Sequence, residues 1–204
     1  VPDSPGSGGD IMGRLVAQGM SEVLSQQVIV DNRAGASSNL GAEFVARSPA
    51  DGYTMLAVST TLSANASLYK NLTYDLAKDL VPVTQLALTP HVLVVHPSLP
   101  ANSVAEFIKL AKAKPGTINY SSPGSGTSAF IPAEIFKRVA DVDIVHVPYK
   151  GGGPALQAVI AGQVQSYFAP SLTAVPPIKQ GQVRALALTS VQKLPLMPDL
   201  PTLA

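Results

Sequence analysis

The hydrophobic pattern of this chain switches period again and again, and that alternation admits one class of architecture. Apolar residues at Ile11, Met12, Leu15, Val16, Met20, Val23 and Leu24 keep the 3.6-residue spacing of an amphipathic helix, with Asp10 as its expected N-cap. A strand-like run at Val28–Val30 follows, then a helical pattern over 40–46 and a buried-strand pattern over Tyr53–Val58. Beyond two apolar runs in 83–96, Ser103 and Glu106 form a capping box for a helix reaching Lys114. Strand 118–120, helix 128–140, strand 143–147, helix 154–162, strand 164–168, a short helix over 173–180 and strand 183–188 complete the series. Strands alternating with helices predict βαβ units: an α/β fold with mainly parallel sheets flanked by helices.

Length and punctuation divide this fold in two. The 204 residues are enough for two lobes, and His96-Pro-Ser-Leu-Pro100 is the most linker-like interior stretch. The expected domains are 1–97 for the first lobe and 98–193 for the second, with 194–204 an apolar, Pro-punctuated linker crossing back toward the first. Val1-Pro2 reads as the end of a strand, and the linker leads nowhere, so the chain reads as truncated at both ends.

Composition then removes whole classes of function. Charged residues make up 13% of the chain, against about 25% in an ordinary domain. With 14 Lys and Arg against 13 Asp and Glu, nothing here holds a nucleic-acid backbone. The longest apolar run, around Val92–Val95, is strand-sized, so no membrane span is expected. Zero cysteines exclude disulfides, thiolate catalysis and Cys-based metal sites.

Chemistry concentrates in three strand-to-helix turns: Pro5-Gly-Ser-Gly-Gly-Asp10, Ser121-Ser-Pro-Gly-Ser-Gly-Thr-Ser128 and Lys150-Gly-Gly-Gly-Pro154. Each removes side chains at a helix N-terminus, where amides without intrahelical partners and the helix dipole favour an anion. Ligands of open α/β sheets bind at the carboxyl ends of the strands, where these turns fall. The plainer reading is that glycine permits a tight turn and Asp10, Ser128 and Pro154 start helices.

Other motifs fail on inspection. Gly124-Ser-Gly126-Thr-Ser-Ala129 fits a dinucleotide fingerprint, but the next strand ends Val145-His-Val-Pro148 without the ribose-binding acid. A P-loop needs a Gly-Lys pair, and the chain has none. Ser125 and Ser7 each have proline where a hydrolase elbow needs its first glycine. His91, His96 and His146 lack metal-ligand spacing and read as structural or surface residues. No catalytic residue, metal or cofactor is assigned.

In order along the chain, Pro5-Gly-Ser-Gly-Gly-Asp-Ile-Met-Gly-Arg14, Val30-Asp-Asn-Arg-Ala-Gly35, Asn39-Leu-Gly41, Asp51-Gly-Tyr-Thr54, Ser121–Ser128, Val147-Pro-Tyr-Lys-Gly151 and Leu186-Ala-Leu-Thr-Ser190 resemble the Bug (Bordetella uptake gene), or TctC-like, family. Its members are extracytoplasmic substrate-binding receptors of tripartite tricarboxylate transporters. The resemblance covers essentially the whole chain. It implies a two-lobed periplasmic-binding-protein clamp of type II-like form, with the ligand cleft between the lobes and hinge closure around an organic anion. Di-, tri- and aromatic carboxylates are the implied ligands, held largely by backbone amides and hydroxyls.

Carried over by residue, the resemblance points to Ser7, Gly8, Gly9 and Asp10, with Ser59 and Thr60, on the first lobe, and to Ser122, Gly124, Gly126, Thr127 and Ser128 on the second. Phe168 and Ser171 stand where the family often has an acid. Phe168, with Phe130, would make that wall apolar and favour an aromatic or apolar ligand body, although isolated Phe residues are more often core. The expected function is a periplasmic, monomeric solute-binding protein that delivers its carboxylate to the membrane subunits of the transporter. Alternatives are an α/β enzyme, hydrolytic or nucleotide-dependent, using the same Gly/Ser-rich cleft with Ser125 or Ser128, and a ligand-sensing subunit of a signalling system.

Overall fold

A computed structural model describes residues 1–203, and the backbone divides into two compact units. The first comprises Val1–Leu88 together with Gly126–Ser128; the second comprises Thr89–Ser125 and the chain from Ala129 onward.

The first unit is helical: α1 (Gly8–Leu24), α2 (Asn39–Ala46) and α3 (Thr61–Leu68). Ser7 caps α1, its hydroxyl accepting from the Asp10 amide at 3.2 Å, so the helix starts before the expected cap at Asp10. Two glycines at the first helical positions hide that start, because they carry no apolar signal. α3 escapes the periodicity for a related reason: Thr-Leu-Ser-Ala-Asn-Ala-Ser-Leu has no amphipathic stripe. Its Leu62 packs with Ala42 and Tyr74 in a small core bordered by Leu56, Leu72, Leu76 and Leu80.

The strands expected at Val28–Val30 and Tyr53–Val58 are not formed among the described residues, and of the two apolar runs in 83–96 only the second, His91–Val95, becomes a strand. Val1 donates its N-terminal ammonium to Asp31 O at 2.8 Å, and its own carbonyl accepts from Arg33 N at 2.9 Å. Pro2 then has no N–H to continue a ladder. An apolar run becomes a strand only with a paired neighbour.

The second unit is a five-stranded sheet. Its strands are β1 (His91–Val95), β2 (Asn119–Ser122), β3 (Val145–Pro148), β4 (Ser166–Pro170) and β5 (Arg184–Leu188), in the order β3-β2-β4-β1-β5. Helices α4 (Val104–Ala113), α5 (Phe130–Ala140), α6 (Gly152–Ile160) and α7 (Ser171–Lys179) join them. β2 pairs in parallel with β3 and β4, whereas β1 is antiparallel to both β4 and β5. The sheet is therefore mixed, where mainly parallel sheets were expected. A run such as Val92–Val95, apolar on both faces, fixes burial and leaves strand direction open.

The core lies on both sides of β1. Leu93 and Val95 pack with Phe107, Phe136 and Phe168 on one face, and Val92 and Val94 pack with Val159, Tyr167 and Leu188 on the other. β1 was expected to close the first lobe, with the boundary after 97, yet it is an inner strand of the second unit. The Pro-rich stretch 96–100 is a surface turn between β1 and α4, fixed by the Arg184 guanidinium on the carbonyls of Pro97, Leu99 and Ala101. The final residues, expected as a crossing linker, also pack here. Leu188 N donates to Pro201 O and Leu203 N to Leu188 O, each at 2.8 Å, and Leu194, Met197 and Leu200 border the core.

Candidate functional site

At the start of α1 the sequence leaves the backbone uncovered. Ser7 caps the Asp10 amide, while the amides of Gly8 and Gly9, at the first two helical positions, have no protein acceptor among the described residues. Unpaired amides at the positive end of a 17-residue helix are donors suited to an anion. Gly6, at φ +76°, makes the turn that leads in. Gly9 has no room for a side chain, because a Cβ there would overlap the Asp3 carboxylate.

Asp10, an expected ligand contact, is committed to the protein. Its Oδ2 accepts from Gly6 N at 2.8 Å and Arg14 Nε at 3.1 Å, and its Oδ1 from Asn32 Nδ2 at 2.9 Å. Burial pushes its carboxyl up, but the Arg14, Gly6 and Asn32 hydrogen bonds together outweigh burial and hold it below the usual range. Asp10 is thus a buried anion that pins the turn from beneath. Asp3 is the converse: burial raises its pKa, opposed by the N-terminal ammonium and by the Ser38 hydroxyl.

A second group of donors gathers around α3. Ser59 and Thr60 belong to the first unit, and Thr61, absent from the expected set, engages Ser59. Its hydroxyl lies 2.8 Å from Ser59 Oγ and accepts from Ser128 N at 3.1 Å. Gly126 rests on the same helix, where a Cβ would stand 2.7 Å from Leu68 Cδ1 and 3.1 Å from Asn65 Oδ1. Asn65 is buried and donates to Ser37 O at 2.7 Å and Asn39 Oδ1 at 3.0 Å. Ala36, Ser37 and Ser38 all have positive φ, an unusual run for residues other than glycine. The structure therefore gathers Ser59, Thr60, Gly126, Thr127 and Ser128 in one unit, through Thr61 and Asn65. Spacing has no means of pairing residues some 65 positions apart.

In the second unit the parallel strands β2 and β3 end level at Ser122 and Pro148, and β4 runs two residues further to Pro170, so the turns that follow lie at one end of the sheet. Ser122 turns its hydroxyl inward: it accepts from Gly124 N at 3.0 Å, lies 3.1 Å from Gly124 O and meets His146 Nε2 at 2.6 Å. Burial lowers the His146 pKa, with Glu134 raising it and Lys137 lowering it. Gly124 (φ +134°) shapes this turn. Ser171 opens α7, its amide donating to Pro90 O at 2.9 Å. Phe168 is fully buried and packs against Phe136 at 5.7 Å between ring centroids. It is a core residue, packed with Leu93 and Phe107.

Among the described residues no group of three or more His, Cys, Asp or Glu is placed to hold a metal ion, and no helix is long and apolar enough to cross a membrane.

Comparison with known proteins finds close likeness in sequence and in fold over nearly the whole chain. The structure superposes on that of R. palustris Rpa4515 with adipate at a TM-score of 0.97 and 36% identity, covering 100% of this chain and 69% of that one. MatC (Rpa3494) from Rhodopseudomonas palustris with bound malate gives a TM-score of 0.92 at 30% identity, covering 99% and 69%. The periplasmic binding protein BugD gives 0.90 at 28%, covering 98% and 67%. In sequence, protein BugT of Bordetella pertussis is 35% identical over all of this chain and 63% of its own length. A UPF0065 protein of Pseudomonas sp. (strain P51), from the tcbD-tcbE intergenic region, is 36% identical. The chain spans about 61% of that relative's length. The model of the tripartite tricarboxylate transporter family receptor, TctC, matches residues 12–204, and the chain belongs to that family.

Proposed function

We propose that this protein is an extracytoplasmic receptor that captures a small organic carboxylate and passes it to the membrane subunits of a tripartite tricarboxylate transporter. The observation that carries the proposal is the pair of unpaired amides at Gly8 and Gly9, set at the positive end of α1 over the saturated Asp10. Fixed neutral donors hold a carboxylate without a partnering arginine, and Arg14 is already engaged by Asp10. The Ser59 and Thr61 hydroxyls, 2.8 Å apart, leave one of their two hydrogens for a carboxylate, while the Ser128 amide is already given to Thr61. Adipate and malate in the solved relatives are anions of this class. Because Phe168 is core, nothing here favours an aromatic ligand body over an aliphatic one.

Capture acts by population shift: a ligand stabilises whichever arrangement it binds better, and the membrane partner reads that arrangement. Periplasmic location and a monomeric state belong to the same proposal, as does the absence of catalysis. The test is a thermal-shift screen with an external dye against adipate, malate, citrate and benzoate, beside neutral diamides. A carboxylate at about 100 times its Kd adds roughly 2.7 kcal/mol, which moves the midpoint by several degrees. Stabilisation by the diamides as strong as by the acids would overturn the proposal, as would the absence of any response to the acids.

A further inference from the structure

The contacts of Ser122 resolve into a specific role for His146. A serine hydroxyl has one hydrogen to donate and lone pairs to accept with. Ser122 Oγ has three partners: Gly124 N, which can only donate; Gly124 O, which can only accept; and His146 Nε2. All three are satisfied together only when His146 carries its proton on Nε2 and donates it to Ser122, which passes its own hydrogen to Gly124 O.

The register explains the encounter. Tyr120 lies directly beside His146 in the parallel β2–β3 pair, and Ser122 is two residues further along β2, on the same face. Tyr120 stacks on the imidazole at 5.0 Å between centroids and 27° between planes. Phe130, the first residue of α5, also meets the ring, at 4.8 Å and 58°. One imidazole therefore touches both ends of the Gly-rich turn: Ser122 where it leaves the strand and Phe130 where it enters the helix. The turn has glycines in Gly-favouring conformations at 124 and 126, so its own backbone resists little.

We infer that His146 is the positioning residue of the Ser122–Ser128 turn, holding it through an Nε2–H to Ser122 Oγ bond at one end and ring packing on Phe130 at the other. This rests on the proposed function only for its consequence, that losing the clasp weakens carboxylate binding. The clasp itself is testable without ligand.

The variants separate its two halves. His146→Phe keeps the aromatic packing and removes the donor; His146→Gln keeps a donor at the place of Nε2 and removes the ring; Ser122→Ala removes the acceptor. Amide exchange of Gly124, followed by NMR in the purified protein, is the primary readout, with the β1 amides of Val92–Val95 as an internal control for folding. Exchange at Gly124 should accelerate about tenfold in His146→Phe and Ser122→Ala, the scale of one hydrogen bond. His146→Gln should recover most of that protection, and the double variant His146→Phe with Ser122→Ala should be no worse than Ser122→Ala alone. Ring 15N shifts should show Nε2 protonated and Nδ1 bare. Unchanged Gly124 protection in His146→Phe, or a proton found on Nδ1, would overturn the inference. Titration with adipate then tests the consequence: a wild-type protein that binds no carboxylate contradicts the proposed function and leaves the exchange result standing.

Discussion

Removing the Asp10 carboxylate should cost far more than removing the arginine paired with it, and the difference measures what the carboxylate is for. Asp10 is 3% exposed and accepts from the Gly6 amide and the Asn32 amide as well as from Arg14. The Arg14 side chain is 54% exposed. In Asp10→Ala the Gly6 and Asn32 donors lose a charged partner in a buried setting, at about 1.5 kcal/mol or more each. The Arg14 contribution is discounted to roughly 0.5 kcal/mol, because water reaches the guanidinium. Asp10→Ala should therefore lose roughly 3–4 kcal/mol, and Arg14→Ala less than about 1 kcal/mol. At about 2–4 °C per kcal/mol for a chain of this size, the melting midpoint should fall by roughly 6–16 °C in the first variant and by about 2 °C in the second. Urea unfolding followed by circular dichroism would check the free energies. Equal losses in the two variants would refute the reasoning, since the ion pair and not the pinned turn would then be the stabilising element. The sign of the pH dependence follows from the depressed folded pKa: the Asp10 contribution is complete above its unfolded value near 3.9 and is lost as pH falls through the folded value.

Gly126→Ala places a side chain in a left-handed conformation (φ +79°) against Asn65, which Ser37 and Asn39 hold in place. The conformation alone costs about 1–2 kcal/mol, and binding of adipate measured by calorimetry should weaken with it; unchanged affinity and stability would contradict the placement of this turn on α3. Phe168→Ala should cost about 3–5 kcal/mol as a core truncation, whereas Phe168→Leu should leave the order of carboxylate preferences unchanged; a reordered ligand panel would return Phe168 to the site. His91 has a buried Nε2 without a partner, and burial pushes its pKa down to about 4 from 6.5. The unfolded chain then binds the extra proton, so stability should fall as pH drops from 6.5 toward 4, by up to about 1.4 kcal/mol per pH unit. His91→Phe should flatten that slope in pH-dependent melts, and an identical slope would exclude His91 as its source.

The parts of the fold that can be read from sequence are those decided locally. In the second unit, α4 with its Ser103 cap, β2 and the helices after it lie close to where periodicity puts them, because each buries its own apolar face. The direction of β1 is not legible, since Val92–Val95 is buried on both faces and its neighbours β4 and β5 lie about 75 and 90 residues further on. The first unit is the least legible. Its strand-like runs find no ladder, and α3, made of Thr, Ser, Ala and Asn with two leucines, carries too little pattern to be seen.

The candidate site divides along the same line. Gly8 and Gly9 are visible because paired glycines are poor helix formers, so their place at a helix start draws attention to the bare backbone there, and their amides are open in the structure. Asp10 and Ser122 lie in the turns the sequence points to, but their side chains are engaged by Gly6, Arg14 and Asn32 in one case and by His146 and Gly124 in the other. Hydrogen-bond partners of that kind depend on tertiary contact. Thr61 and His146 escape a sequence reading for the same reason: a threonine in a run of hydroxyl residues and a histidine on an edge strand become meaningful only once Ser128 and Ser122 are placed beside them.

The decisive measurement is a 15N-edited NMR titration of the purified protein with adipate and with malate, following every backbone amide. Recognition by helix-end donors predicts that the amide protons of Gly8 and Gly9 move furthest downfield and saturate together with a single Kd. Saturable binding that leaves Gly8 and Gly9 unmoved, with the largest shifts on other segments, would contradict it.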